Sequence, residues 1–288
     1  MFEIITDSCS DLPKKIINQF NINVVSLSFL VDNTEYLCFE NGVQVNNSLY
    51  YDMMRDGYSI KTSLANEGMF TKAFESILKE GKDILCILVS SGISGTYIAG
   101  ISAAAALKEK YPDRKIVVVD SLSGSLGEGL LVYYAAFMRE RGKTLEEIVN
   151  WLEKNRLKIM HEFTVDDLEY FKRGGRISAA TAIVGKFLSI KPLLRANDEG
   201  KIYVYDKIRG RKASLDRLIK NVGERSDDLS NQVVAISHAD CYDDAKYIEK
   251  EIHLRYKVKN IIINDIDLVM GAHAGPGMIG VFFIGPNR

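Results

Sequence analysis

The 288-residue chain has little that would tie it to a membrane, a nucleic acid or an oxidising compartment. Its 37 basic and 38 acidic residues nearly cancel, and a formal charge of −1 offers no general attraction to nucleic acid or to an anionic membrane. No uninterrupted apolar run reaches the ~18 residues that a membrane helix needs. Residues 1–5 enter a strand-like segment without a basic leader or a cleavage site. The four cysteines, Cys9, Cys38, Cys86 and Cys241, lack paired spacing. That scatter predicts reduced thiols in the cytoplasm, not a disulfide or zinc framework.

Enzyme signatures are scarce too. GPGMIG at 275–280 has a dinucleotide-binding spelling but precedes a predicted strand instead of opening a helix. GSLGEG at 124–129 follows a strand with its glycines in the wrong order, which suits close helix–sheet packing. Gly185-Lys186-Phe187 has neither the upstream glycine nor the hydroxyl residue of a P-loop. Gly92-Ile93-Ser94-Gly95 is one residue short of a nucleophile elbow, and His161-Glu162 lacks a second histidine at zinc-protease spacing. These gaps count against NAD enzymes, NTP hydrolases, α/β-hydrolases and zinc proteases. The reading is a chain with no catalytic residue, no cofactor and no metal.

What the chain does contain is an alternation of short apolar runs and helical patterns. Strands are predicted over 3–6, 23–30, 84–89 and 115–119, with helices after Pro13 and over 46–55, 66–79 and 98–107. Thr144 and Glu147 stand at capping-box spacing for a further helix. This βα order predicts an α/β fold, its N-terminal part a mainly parallel sheet with helices on both faces. Beyond it, 163–171 and 177–188 read as helices, and 191–194 and 201–205 as a hairpin around Asn197-Asp198-Glu199-Gly200. Helices over 212–222 and 242–255 then alternate with strands over 232–237, 258–263 and 281–284. We expect two domains, an α/β unit over 1–160 and an α+β unit with a mixed sheet over 161–288.

Four segments carry chemistry. SSGISGTY at 90–97 joins an apolar strand to a helix, where unpaired N–H groups, a positive helix end and glycines favour an anion. DSCSDLP at 7–13 ends the first strand, where open α/β sheets place ligands, but Asp7 and Ser8 read equally as a turn with a helix cap. His273, within GAHAGPG at 271–277, sits in a segment too glycine-rich for ordinary packing, which favours a site role. Lys172, Arg173, Arg176, Lys207, Arg209, Arg211 and Lys212 form a basic cluster interleaved with glycine. It is either a solvated face or a set of guanidinium groups held for phosphate or an acidic partner.

Together these segments, with Thr62-Ser63, Asp120-Ser121 and DLEYFKRGGRIS at 167–178, resemble the DegV family of bacterial fatty-acid-binding proteins along essentially the whole chain. One departure is Leu64-Ala65, where the family usually has Gln-Pro after its Thr-Ser pair. The resemblance implies a two-domain lipid-binding protein holding a long-chain fatty acid of ~14–18 carbons (a length the family implies), with at most transient membrane contact. By the same resemblance Thr62, Ser94, Gly95 and His273 bind the carboxylate, while Ser63, Ser91, Thr96, Asp7, Ser8 and Gly277 line the pocket or support its loops. Some members are the binding subunit of a fatty-acid kinase, in which a separate ATP-dependent subunit makes acyl phosphate for phospholipid synthesis. Arg173, Arg176, Arg209 and Arg211 would then meet the acyl phosphate or the partner kinase, and the 98–107 helix would either wall the tunnel or pack on the sheet. The rival readings are a phosphosugar-binding enzyme or regulator, and an adaptor using the basic face.

Overall fold

The computed structural model describes residues 1–40, 43–177 and 189–288. In chain order the first half comprises β1 (Phe2–Asp7), α1 (Lys14–Gln19), β2 (Asn23–Val25), β3 (Ser28–Val31), β4 (Thr34–Leu37), β5 (Phe39–Glu40), β6 (Val43–Gln44) and α2 (Asn47–Arg55). There follow β7 (Lys61–Ser63), α3 (Glu67–Lys79), β8 (Asp83–Leu88), α4 (Thr96–Lys108), β9 (Ile116–Asp120), α5 (Leu126–Glu140) and α6 (Leu145–Asn155). The second half holds β10 (Ile159–Thr164), α7 (Glu169–Arg173), β11 (Ile190–Ala196), β12 (Ile202–Arg209), α8 (Arg211–Arg225), β13 (Val233–His238), α9 (Tyr242–Arg255), β14 (Asn260–Asp265), α10 (Leu268–Ala274) and β15 (Ile279–Ile284).

The strands form a parallel sheet of order β2-β1-β8-β9 and a mixed sheet of order β12-β11-β10-β15-β13-β14. Period-2 alternation fixes what each face touches. In the parallel sheet Ile5, Ile84, Cys86 and Leu88 face Phe70 and Phe74 of α3, while Ile4, Leu85 and Ile87 face Leu130 and Leu131 of α5. In the mixed sheet Val233, Ala235 and Phe282 meet the α5 side, and Val234, Ile236 and Phe283 meet α8 and α9. The result is a stack of five layers, with α5 between the two sheets. Residues 126–132 of α5 are buried on every side, as that position requires.

The α/β class, the parallel sheet and the 190–209 hairpin follow the sequence reading, with element ends moved by a few residues. Three features differ. The strand expected over 23–30 breaks into β2 and β3, which join different sheets. Ser26 Oγ accepts from Phe39 N at 2.9 Å and Leu27 N donates to Ser8 Oγ at 3.0 Å, which takes 26–27 out of either ladder. The helix expected over 163–171 is mostly not one: Phe163 is in β10 and only Glu169–Arg173 is helical. Phe163 and Phe171 do share a core, with ring centroids 6.3 Å apart, but across a loop. The antiparallel β4-β3-β7 sheet was not anticipated; it turns at Asp32 and Asn33, both at positive φ. The helix expected over 177–188 lies, beyond Ile177, outside the described residues.

Candidate functional site

A cavity opens where β1, β8 and β9 end, bounded opposite by β10–β12 and by α10. The space between its lining atoms, mouth included, is about 800 Å³. Its wall is mostly apolar; Phe163, Phe171, Ile202, Val269, Met270 and Phe282 are representative. Polar side chains enter at two places. One holds Ser94, Arg176 and His273; the other holds Ser123, Ser125 and His161.

Of the four residues expected at the carboxylate, Ser94 and His273 line the cavity, whereas Thr62 and Gly95 do not; Thr62 joins the first group through His273. β7 pairs with β3 so that Thr62 stands opposite Phe29, and the end of α10 brings His273 up to it. Thr62 Oγ1 and His273 Nε2 lie 3.0 Å apart. With the proton on Nε2, the ring donates to Thr62 and leaves the hydroxyl proton for a ligand. Burial, and then the nearby Arg176 charge, lower the His273 pKa to about 4, so the ring is neutral at neutral pH. The imidazole fits only because residue 174 is glycine: a Cβ there would overlap His273 Nδ1. Ser94 Oγ shares a 2.9 Å hydrogen bond with Thr96 Oγ1 and accepts from Thr96 N at 3.3 Å, at the start of α4. Gly95 precedes α4, with Leu64 covering it where a side chain would stand. Arg176 Nε donates to Ile93 O at 3.0 Å and Nη1 to Gly174 O at 2.6 Å, which aligns its guanidinium along the wall.

The remaining predicted positions support this frame from behind. Asp7 is fully buried and accepts from Cys9 N and from Val89 N, each at 2.9 Å. It ties the ends of β1 and β8 together, and burial raises its pKa to about 7. Ser8 accepts from Leu27 N, and Ser91 N donates to Asp120 Oδ1 at 3.2 Å. Ser63 pairs with Ser28 in the small sheet, and Gly277 N donates to Ala239 O at 2.8 Å. Of the four arginines only Arg176 lines the cavity. Arg173 lies over the Tyr170 ring at 4.7 Å, Arg209 is exposed on β12, and Arg211 is held by Asp244, with Nε–Oδ2 at 2.8 Å.

Of the two readings of the 98–107 helix, packing on the sheet is the one that fits: no residue of α4 lines the cavity, and Gly100 seats the helix on Leu88 and Val118. The 271–277 segment, read as too glycine-rich for ordinary packing, does pack: residues to 274 belong to α10, where Gly271 lies against the Tyr51 ring. Sequence reading also passed over His161, dismissed for want of a second histidine, although the cavity takes it in. Among the described residues no set of three or more His, Cys, Asp or Glu is placed to hold a metal ion, and no helix is long and apolar enough to cross a membrane.

A sequence profile described as "Uncharacterised protein, DegV family" matches residues 1–285. The chain belongs to the DegV family. A DegV domain-containing protein of Clostridium perfringens is 42% identical over 287 residues, covering 100% of this chain and 98% of that protein. Among solved structures, the DegV family protein of Thermus thermophilus, described by its fatty acid binding, is 27% identical, with a TM-score of 0.89 over 99% of each chain. A stearic acid-binding protein from Eubacterium ventriosum is 27% identical, with a TM-score of 0.85 over 99% of this chain and 98% of that one. This DegV chain therefore has the fold of proteins that bind fatty acids.

Proposed function

We propose that this DegV protein binds a long-chain fatty acid in the cavity and holds its carboxylate with Thr62, Ser94, Gly95 and His273. The observation that carries the reading is a neutral hydroxyl–imidazole pair beside an apolar-walled cavity. Burying ~14 methylenes at ~0.8 kcal/mol each supplies roughly 11 kcal/mol of gross driving force, before immobilisation costs. A carboxylate entering such a space is unfavourable unless several donors meet it. The Thr62 and Ser94 hydroxyls provide them, the ring acting through Thr62 by freeing its proton, and the start of α4 adds a favourable dipole. The apolar lining weighs against a sugar phosphate, which needs polar partners around every hydroxyl.

The protein on this reading performs no chemistry of its own. It presents the head group to a separate ATP-dependent kinase, which makes the acyl phosphate, and exposed Arg209 and Arg173 serve docking better than Arg211, already paired with Asp244. Denaturing extraction of purified protein followed by mass spectrometry should release acids of the ~14–18 carbon class whose methylene burial drives binding. Recovery of a sugar phosphate would favour the phosphosugar reading. Ser94→Ala should weaken oleate binding about tenfold, the scale of one lost hydrogen bond to a charged group; unchanged affinity removes Ser94 from the carboxylate site.

A further inference from the structure

The second polar place in the cavity is unexplained by a carboxylate at the first. His161 projects from the middle of β10 into the lining and is 6% exposed. Neither ring nitrogen has a hydrogen-bond partner among the described residues. The groups around it cannot serve. Phe282 meets the ring edge-on with centroids 5.4 Å apart, and Gly127 offers no side chain: a Cβ there would stand 2.8 Å from Nε2. The carbonyl of Ile159 is outside hydrogen-bond geometry for the ring and accepts from Arg288 Nε at 3.1 Å. Ser123 Oγ accepts from Arg288 Nη2 at 2.9 Å, and Ser125 Oγ is bonded to Ser237 at 2.8 Å and to Asp11.

Arg288 is the charged neighbour of His161, as Arg176 is of His273, so the two histidines mark different regions of one cavity. Arg288 does not itself address a ligand: its remaining donors go to the carbonyls of Leu122, Asn197 and Arg156. Burial and that positive neighbour keep the His161 ring neutral, with one N–H and one lone pair. Such a ring complements a hydroxyl, which can accept and donate, better than an anion or a plain alkyl chain. Leaving it unpaired against methylenes is unfavourable.

We propose that the preferred ligand of this cavity is a hydroxylated long-chain fatty acid whose chain hydroxyl hydrogen-bonds the imidazole of His161. The proposal rests on the fatty-acid reading above and adds the chemical class of the chain. The test compares stearic acid with monohydroxystearic acids substituted at successive carbons, measuring dissociation constants with wild-type protein, His161→Leu and His161→Gln. At least one positional isomer should bind wild type about tenfold tighter than stearic acid, equivalent to about 1.4 kcal/mol. His161→Leu should abolish that preference, read as the ratio of the hydroxystearic to the stearic acid dissociation constant, and His161→Gln, which retains a donor and an acceptor, should keep part of it. If the leucine substitution prevents folding, as a thermal melt would show, the glutamine variant carries the comparison. Stearic acid binding with no isomer preferred, or a preference that survives both substitutions, overturns the proposal and leaves the fatty-acid reading standing. Failure of every acid to bind would overturn both.

Discussion

His273 titrates near 4 because burial and Arg176 both oppose a charge on the ring. A carboxylate bound beside it would reverse part of that balance, since an opposite charge favours the protonated imidazole. Imidazole proton NMR should therefore show the His273 titration moving upward when oleate is added, with Ser94→Ala reducing the movement. A titration indifferent to ligand would place the head group elsewhere. Asp7 behaves in the opposite sense. Its pKa rises from 3.8 to about 7 on folding, chiefly through burial, so the native state holds a proton that the unfolded chain releases. That contribution is complete below about pH 4 and is lost as pH rises through 7, on the order of 4 kcal/mol if nothing else responds. Asp7→Asn should remove the dependence, so urea midpoints of variant and wild type should draw apart in the variant's favour from pH 5 to pH 8. Parallel curves would mean that Asp7 keeps its charge throughout. Reversing Arg209, exposed on β12, should impair phosphorylation by a partner kinase more than fatty-acid retention; equal loss of both would remove it from docking.

Among the elements, α7 and α10 carry the most specific expectation. Gly174 ends α7 in ordinary helical geometry, so alanine there strains no backbone, yet its methyl would occupy the place of His273 Nδ1. Gly174→Ala should cost oleate binding tenfold or more, the scale of lost contacts to a charged head group, while the protein still folds. Retained binding with a displaced His273 would detach the ring from the carboxylate. By contrast, Thr144→Ala breaks the capping box of α6 and should cost about 1 kcal/mol of stability with no effect on ligand. This box was legible because it is local: Thr144 and Glu147 meet within one turn. The hairpin at Asn197–Gly200 was legible for the same reason. The break at Ser26 was not, since its cause is a hydrogen bond to Phe39 and the local sequence still reads as continuous strand. Phe163 was misplaced because periodicity cannot distinguish a helix from two elements whose side chains meet in one core.

At the scale of the molecule, the pairing of Thr62 with His273 spans 211 positions and became an expectation only through the family resemblance. Nothing local in KTSLA or GAHAGPG brings them together; strand pairing and the seat of α10 do that. The resemblance did not reach His161 either. We propose two units divided ahead of residue 160, because that position falls inside β10. The division need not make two independent folds, for α5 touches both sheets and its buried face belongs to neither alone. Trp151 on α6, packed against Tyr134 of α5, reports on this middle layer. Its fluorescence and the far-ultraviolet circular dichroism should lose signal in one coincident urea transition. Two separated transitions would show that each sheet carries its own stability.

The cavity takes its walls from both halves of the stack, so an acyl chain lying in it would act as a rivet through a seam. Loaded and empty protein need not differ in outline for their lifetimes to diverge. Cargo that seals the seam should slow protease nicking around it, and release would then require the halves to part for a moment.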